Sequence, residues 1–168
     1  FSENQNTDSP VSFYAATKKS NEVMAHAYSS LYQLKITGLR FFTVYGPWGR
    51  PDMAPVLFAK AGTESQSIKV FNNGEQSRDF TYIDDIVDGI IGCLDLAPPP
   101  IKTPHRVLNI GNNNPESLEK LITLLETGLN KKAIRNLLPM QTGDVKSTYA
   151  DIEPLFQLTS VRPKTSLE

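Results

Sequence analysis

The chain has 168 residues, of which 39% are hydrophobic and 21% are charged, and its formal net charge is −1. This composition is typical of a soluble enzyme and shows no basic excess that would indicate nucleic-acid binding. The single cysteine implies no disulfide framework. No apolar stretch approaches the roughly 20 residues that span a bilayer, so we expect no membrane segment and a cytoplasmic location.

The first predicted element is a helix from Phe13 to about Leu34. This stretch lacks Gly and Pro, and Ser9-Pro10 upstream predicts a cap with proline in the first turn. Tyr14 and Lys18, four positions apart, then share one helix face. An ammonium group close to a phenol favours the phenolate, so the pair is a candidate acid/base device with Tyr14 as the base. A surface helix with a packed Tyr14 and a solvated Lys18 is the structural alternative.

An apolar and β-branched run from Ile36 to Pro47 follows the helix. It predicts a buried strand that leads into a loop. A helix followed by a strand indicates an α/β fold, in which ligands bind beyond the carboxyl ends of parallel strands. We therefore expect polar substrate contacts between Thr43 and Arg50, where Arg50 could form a bidentate contact with a carboxylate or a phosphate.

The remainder of the chain alternates between helix and strand. The predicted elements are a helix at 53–62, a strand at 67–71, a turn at 72–74, a helix at 84–96, a strand at 106–110, a helix from Ser117 to about Leu129 and a short amphipathic helix after Asp151. In the helix after Ser117, the side chains of Glu119, Lys120 and Glu126 are expected on the solvent side.

Five ordered motifs cover nearly the whole chain. They are Tyr14-x-x-x-Lys18, Leu39 to Ala54 (LRFFTVYGPWGRPDMA), Asn73 to Asp85 (NGEQSRDFTYIDD), Leu108 to Gly111 (LNIG) and Leu138 to Val145 (LPMQTGDV). This set resembles the extended short-chain dehydrogenase/reductase (SDR) family and, within it, the UDP-glucuronate 4-epimerase group. The resemblance implies an α/β chain that forms the C-terminal part of a Rossmann-like extended SDR fold, plus a small α/β substrate-binding domain.

The resemblance also implies a domain division. Residues 1–46, with later returns at about 84–97 and 105–111, would form part of an NAD-binding Rossmann domain, and residues 47–168 would be mainly the nucleotide-sugar substrate-binding domain. The ten glycines contain no Gly-x-Gly-x-x-Gly arrangement for a dinucleotide pyrophosphate. The glycine-rich N-terminal half and a catalytic Ser or Thr are therefore expected elsewhere in a longer enzyme, and this chain alone is expected to be inactive.

The activity that the resemblance implies is NAD-dependent epimerisation at C4 of a UDP-sugar, with UDP-glucuronate and UDP-galacturonate as the expected pair. Tyr14 would take the proton of the sugar 4-hydroxyl as a hydride leaves C4 for NAD. The hydride would then return to the other face of a 4-keto intermediate. Lys18 would also hold the nicotinamide ribose, so Tyr14 and Lys18 are expected to bind the cofactor as well as to catalyse.

The resemblance assigns six residues to substrate binding. They are Thr43, Arg50, Phe71, Arg78, Asn109 and Asp144. Arg78 would contact the diphosphate, Asp144 the ribose hydroxyls and Phe71 the uracil. Thr43 and Arg50 would hold the sugar carboxylate, so that its bond to the ring is poorly aligned with the neighbouring ketone and CO₂ is retained.

Several of these assignments have alternatives. Arg78 could instead pair with Asp79, which is otherwise expected to be structural, and Phe71 could pack in the core. Asn109 would approach the diphosphate or simply end a strand. Gln141 stands where related galactose epimerases have an arginine, which shifts diphosphate binding toward Arg78. No histidine or cysteine has the spacing of metal ligands, so no metal site is expected.

Other functions are compatible with the same residues. A decarboxylase that makes a pentose, or a 4,6-dehydratase, would begin with the same first step, and product analysis would separate them from an epimerase. A non-enzymatic remnant would keep only the affinity for a nucleotide sugar. Finding a glycine-rich start in the upstream coding sequence would argue against that remnant.

The expected partner, besides the UDP-sugar, is a second copy of the chain. Family members commonly dimerise through the helix that carries the Tyr and Lys pair. Val23, Ala27 and Leu31 form an apolar stripe on this helix, which suits either a homodimer or a core.

Overall fold

The computed structural model describes Phe1–Glu168 and contains five helices and seven strands. The helices are α1 (Phe13–Tyr32), α2 (Ala54–Glu64), α3 (Ile83–Leu94), α4 (Leu118–Leu129) and α5 (Glu153–Thr159). The strands are β1 (Ile36–Phe41), β2 (Thr43–Tyr45), β3 (Ser67–Phe71), β4 (Ser77–Tyr82), β5 (His105–Ile110), β6 (Pro115–Ser117) and β7 (Ile134–Leu138). No helix combines the length and the apolar character needed to cross a membrane.

The strands form three small sheets in which parallel pairing dominates. β1 pairs with β5, β2 with β4, and β3 with β7, all in parallel, while β6 is antiparallel to β4. Parallel pairing requires crossover connections, and helices provide them here. The predicted α/β class is therefore confirmed. β1 has β5 as its one strand neighbour, so the other edge of β1 is unpaired.

Two separate clusters of apolar side chains form the core. The first, between α2, α4, β3 and β4, contains Phe58, Ile68, Val70, Phe80, Leu118, Leu121 and Ile122. The second, between α3, α5 and β5, contains Ile86, Cys93, Leu108, Ile110 and Leu155. The domain boundaries expected from the sequence remain a prediction.

Helix α1 is held mainly at its start and by the ion pair of Glu22 with Arg40. Its N-cap is Ser12, whose Oγ accepts the Ala15 N–H at 3.1 Å, so the cap expected at Ser9-Pro10 was placed too early. The Glu22 carboxylate accepts hydrogen bonds of 2.6 and 2.8 Å from Arg40 in β1. These bonds lower the pKa of Glu22 and raise that of Arg40. Only Ser29 is buried along the whole helix.

Glu126 in α4 contradicts the expectation that it faces solvent, because it is 9% exposed. Its carboxylate accepts hydrogen bonds from Lys132 Nζ at 2.7 Å, from the Ala133 N–H at 3.0 Å and from Arg135 Nη2 at 3.3 Å. The Lys132 bond is the main reason that the pKa of Glu126 falls to about 2. Glu126 therefore fastens α4 to β7 and to the segment before it.

Asp79 in β4 is fully buried and joins three segments of the chain. Its carboxylate accepts the backbone N–H of Asn112 at 2.7 Å, of Asn113 at 3.0 Å and of Ala150 at 2.7 Å. Buried charges need such compensation. The predicted structural role of Asp79 is thus observed, and its carboxylate is directed away from Arg78.

Candidate active site

Tyr14 and Lys18 lie on one face of the first two turns of α1. The Lys18 Nζ lies over the Tyr14 ring, 5.3 Å from the ring centroid, as the four-residue spacing predicts. Tyr14 is 65% exposed, so its phenol is open to a ligand. The structure brings the phenol and the ammonium group together, while their catalytic role stays a prediction.

A cleft of about 560 Å³ lies beside this pair, between α1 and β1. Tyr14 and Lys18 line it together with residues 38–41 of β1 and His105. Burial, and then the neighbouring His26, lower the pKa of His105. The cleft therefore combines the Tyr14 and Lys18 side chains with an imidazole whose pKa is lowered.

Arg50 lies on the loop between β2 and α2, which returns toward Tyr14. The loop leaves β2 at Gly46, where φ is 131° and a Cβ would meet Ile83 Cγ2 at 2.7 Å, so glycine is required. The Arg50 guanidinium donates to both carboxylate oxygens of Asp52, at 3.0 and 2.9 Å. These bonds are the main cause of the raised pKa of Arg50, and the Tyr14 hydroxyl contributes in the same direction. Arg50 and Asp52 therefore form a bidentate ion pair on this loop.

A second cavity, of about 710 Å³, opens between α2 and strands β2, β3 and β4. Four of the six predicted substrate residues line it, namely Thr43, Phe71, Arg78 and Asp144. Asp52, the partner of Arg50, also lines it. The loop that carries Arg50 therefore forms part of the cavity wall. We call this cavity the β4 cavity.

Arg78 and Asp144 form an ion pair at the wall of the β4 cavity. The Arg78 Nη2 donates to Asp144 Oδ1 at 2.7 Å, and the two side chains are 17% and 29% exposed. The alternative expected from the sequence, a pair between Arg78 and Asp79, is wrong because Asp79 is occupied by backbone N–H groups. The two predicted ligand-binding groups thus contact each other.

The loop that carries Asp144 is fastened at both ends. Ser77 at the start of β4 donates its N–H to the Lys146 carbonyl at 3.0 Å and accepts the Thr148 N–H at 3.2 Å. Gly143 has a φ of 81°, and a Cβ there would lie 3.4 Å from the Val11 carbonyl. The loop therefore packs closely against the segment that precedes α1.

Gln76 and Gln141 also line the β4 cavity, and the sequence reasoning assigned no ligand to Gln76. Residues 76, 78 and 80 all line the cavity, which is the period of two that a strand imposes. Because side chains two positions apart share a strand face, the assignment of Arg78 to the site could have identified Gln76 as a lining residue. Asp52 was also missed, because nothing in the sequence ties it to Arg50 beyond proximity.

Asn109 is the one predicted substrate residue that the structure buries in the protein interior away from both cavities. Its Nδ2 donates to the Phe1 carbonyl at 3.0 Å and to the Asp151 carbonyl at 3.3 Å. Its backbone N–H donates to Glu3 Oε1 at 2.8 Å. The side chain therefore connects β5 to the first residues and to the start of α5, and the geometry supports the alternative of a residue near a strand end.

A sequence profile of the NAD dependent epimerase/dehydratase family matches residues 1–111. The chain belongs to this family. The membership that the five motifs predict is thereby confirmed, and the Rossmann-like fold class agrees with the solved structures of family members.

Known members of the NAD dependent epimerase/dehydratase family are similar along the whole chain. Protein CapI of Staphylococcus aureus is 48% identical over 100% of the chain, which covers 54% of that protein. UDP-glucuronate 4-epimerase 3 of Arabidopsis thaliana is 45% identical over 100% of the chain, which covers 42% of it. The structure of UDP-glucuronic acid 4-epimerase from Bacillus cereus in complex with UDP-glucuronic acid and NAD matches 98% of the chain with a TM-score of 0.84 and 36% identity, and the chain covers 54% of that protein. The chain thus spans about half the length of these relatives.

Proposed function

We propose that this chain acts as part of an NAD-dependent UDP-glucuronate 4-epimerase that interconverts UDP-glucuronate and UDP-galacturonate. The observation that carries the proposal is the placement of Tyr14 and Lys18 together at the cleft beside α1, in a chain whose β4 cavity is lined by four of the predicted substrate residues. The chain thus combines an acid/base pair with a cavity that has the charges that a nucleotide sugar requires. The similarity to UDP-glucuronate 4-epimerases from several organisms supports the choice of sugar.

The β4 cavity would hold the nucleotide part of the substrate. Arg78 supplies the cation for the diphosphate, because a guanidinium matches phosphate oxygens in a planar, bidentate geometry. Asp144 would accept hydrogen bonds from the ribose hydroxyls. Phe71, at the end of β3, would stack on the uracil. The cavity volume of about 710 Å³ suits a ligand of this size.

The sugar carboxylate would lie between Thr43 and Arg50. Arg50 donates through Nε and Nη2 to Asp52 in a bidentate pair, so a uronate would bind its remaining N–H groups or replace Asp52. Thr43 lines the β4 cavity next to Asp52 and can donate its hydroxyl to the same carboxylate. Held in this way, the carboxylate bond to the ring would lie near the plane of the 4-ketone, and loss of CO₂ would be slow.

The residues of this chain fit the nicotinamide end of NAD. Tyr14 and Lys18 present a phenol and an ammonium group to the open cleft beside α1, and both are suitable partners for ribose hydroxyls. When bound, NAD supplies a hydride acceptor and donor for C4 of the sugar. The glycine-rich turn for the pyrophosphate and the third catalytic hydroxyl would come from the rest of the intact enzyme, next to the unpaired edge of β1.

In this mechanism Tyr14 is the general base and general acid. Its phenolate takes the proton of the 4-hydroxyl as C4 becomes a ketone, and it returns the proton after the sugar has turned its other face. Lys18, held over the Tyr14 ring, supports the negative charge that the phenol carries between the two proton transfers. No net oxidation of the sugar results.

We further propose that the intact enzyme is a homodimer that uses the apolar stripe of α1. Val23 and Leu31 on this stripe are 57% and 73% exposed, which argues against the alternative of a core within this chain. A second copy of α1 would cover them. The cytoplasmic location expected from the sequence stays a prediction.

The proposed activity is tested by incubating the full-length enzyme with UDP-glucuronate and resolving the products. We expect UDP-galacturonate without release of CO₂, and we expect Tyr14→Phe to lower kcat by a factor of about 10² to 10⁴, the usual share of general acid–base catalysis. A UDP-pentose would move the assignment to a decarboxylase, and a 4-keto-6-deoxy sugar to a dehydratase. Binding of UDP-glucuronate without any turnover would favour a non-enzymatic protein.

A further inference from the structure

Gln76 lies in the wall of the β4 cavity with its main chain fixed on both sides. Its N–H donates to the Gly74 carbonyl at 2.8 Å, and its carbonyl accepts the Leu118 N–H at 2.9 Å. Its side chain lines the cavity, where the Nε2 donates to Asp144 Oδ2 at 2.8 Å.

Asp144 receives a different set of donors at each carboxylate oxygen. Oδ1 accepts from Arg78 Nη2 at 2.7 Å and from the Val145 N–H at 2.8 Å. At Oδ2 the one protein donor is Gln76. A carboxylate has about four lone-pair sites in all, so Oδ2 keeps capacity for a ligand hydroxyl while Gln76 fixes its direction.

Arg78 contacts Asp144 through one of its guanidinium nitrogens. Its Nη1 donates to the Ser77 carbonyl at 2.9 Å and to the Lys146 carbonyl at 3.4 Å, which anchors the stem of the fork. Its Nη2 is the group that meets Asp144, and the same fork is the one that a diphosphate would attract. When a diphosphate binds, the bond from Arg78 to Asp144 is shared or lost.

We propose that Gln76 is a positioning residue that keeps Asp144 directed at the ligand ribose while Arg78 moves to the diphosphate. The inference rests on the proposed function, in which Asp144 meets the ribose and Arg78 the diphosphate. A neutral amide suits this task, since it orients the carboxylate without adding a second cation that would cancel its charge. Gln76 thus keeps the affinity for the ribose the same whether Arg78 binds Asp144 or the diphosphate.

The test compares two probes, UDP and 2′,3′-dideoxy-UDP, on the full-length enzyme by calorimetry. The dissociation constant of 2′,3′-dideoxy-UDP divided by that of UDP isolates the contribution of the ribose hydroxyls. We expect Gln76→Leu, which removes the donor at similar size, to reduce this ratio by about tenfold, the effect of a hydrogen bond to a charged group. The affinity for 2′,3′-dideoxy-UDP itself should stay within about twofold. Gln157→Leu, on the exposed surface of α5, is the matched control and should leave the ratio unchanged.

Two outcomes overturn the inference. If Gln76→Leu leaves the ratio unchanged, or weakens both probes equally, Gln76 is only structural. Asp144→Asn separates this result from a failure of the proposed function. A ratio that collapses in Asp144→Asn but not in Gln76→Leu refutes the role of Gln76 alone, and a ratio that persists in Asp144→Asn refutes the ribose assignment and the inference with it.

Discussion

At the scale of single residues, the candidate site contains two arginines that each face an aspartate of the same chain. Arg50 is paired with Asp52, and Arg78 is paired with Asp144. The first pair is exposed and joins neighbours in one loop, whereas the second is partly buried and joins residues far apart in sequence. Under the proposed function, an anionic ligand at either arginine would share or replace the aspartate partner.

Replacement of Arg50 tests whether this exchange recognises the uronate. We expect Arg50→Ala in the full-length enzyme to weaken UDP-glucuronate binding by about tenfold or more, because a charge-assisted contact is lost. UDP-glucose has no carboxylate and serves as the control ligand, whose affinity should change by less than about twofold. The same variant should release more decarboxylated product. Equal affinities for UDP-glucuronate before and after the change, with no added CO₂, would refute the role of Arg50.

Asp79 allows a test of stability at the residue scale. We expect Asp79→Asn to lower the free energy of unfolding by about 3 kcal/mol, because an amide cannot accept the same three backbone N–H groups and its own NH₂ meets a donor. Urea unfolding of the full-length protein measures this change. Asp95→Asn, at an exposed carboxylate after α3, is the control and should be neutral. An unchanged midpoint for Asp79→Asn would show that the buried carboxylate is dispensable.

At the scale of elements, the sequence predicted every α-helix and the strands β1, β3 and β5, because apolar periodicity and caps are local signals, but it did not predict β4. Ser117 caps α4 as expected, with its Oγ accepting the Lys120 N–H at 3.1 Å. β7 was not predicted, since it exists through pairing with β3, and a partner more than sixty residues away leaves no local pattern. The same reason explains why the pairing of Arg78 with Asp144 was missed. The burial of Glu126 was missed because its partners, six to nine residues later, meet it only once the chain folds back into β7.

Glu126 gives a prediction of pH dependence that belongs to the junction of α4 and β7. Its pKa is about 2 in the folded protein and near the ordinary 4.5 when unfolded, so its contribution to stability is fully present above about pH 5 and is lost as the pH falls toward 2. We expect Glu126→Gln to flatten the decline in thermal stability over this range. Glu64→Gln, at an exposed pair with Lys60, should leave the decline as it is. If both variants follow the wild-type curve, Glu126 does not control the acid response.

At the scale of the whole molecule, apolar surface is concentrated on α1 rather than spread evenly. Phe13, Val23, Met24, Tyr28, Leu31 and Tyr32 are all exposed. This helix carries the candidate catalytic pair, yet few of its own side chains are buried in the chain. Its position is therefore set by contacts at its ends and by the pair of Glu22 with Arg40, and large exposed apolar patches of this kind mark interaction surfaces.

We expect the 168-residue chain, prepared alone, to self-associate and to turn over no UDP-glucuronate. The cause is the uncovered apolar face of α1 together with the unpaired edge of β1. Light scattering over a range of protein concentrations measures the association. Val23→Ser with Leu31→Ser should reduce it, whereas Ile134→Ser, at an exposed residue of β7, should not. A chain that stays monomeric at all concentrations would show that the exposed apolar face of α1 does not cause self-association.

The pair of Arg50 and Asp52 has a consequence for small anions in the cell. Only Pro51 separates these two residues in the loop, so the carboxylate of Asp52 is present at Arg50 at a high effective concentration that free chloride, phosphate or glucuronic acid must match. A uronate attached to a bound nucleotide is tethered as well and competes on equal terms. If Arg50 binds the uronate as proposed, the loop would make the site selective for carboxylates that arrive already linked to an anchored ligand.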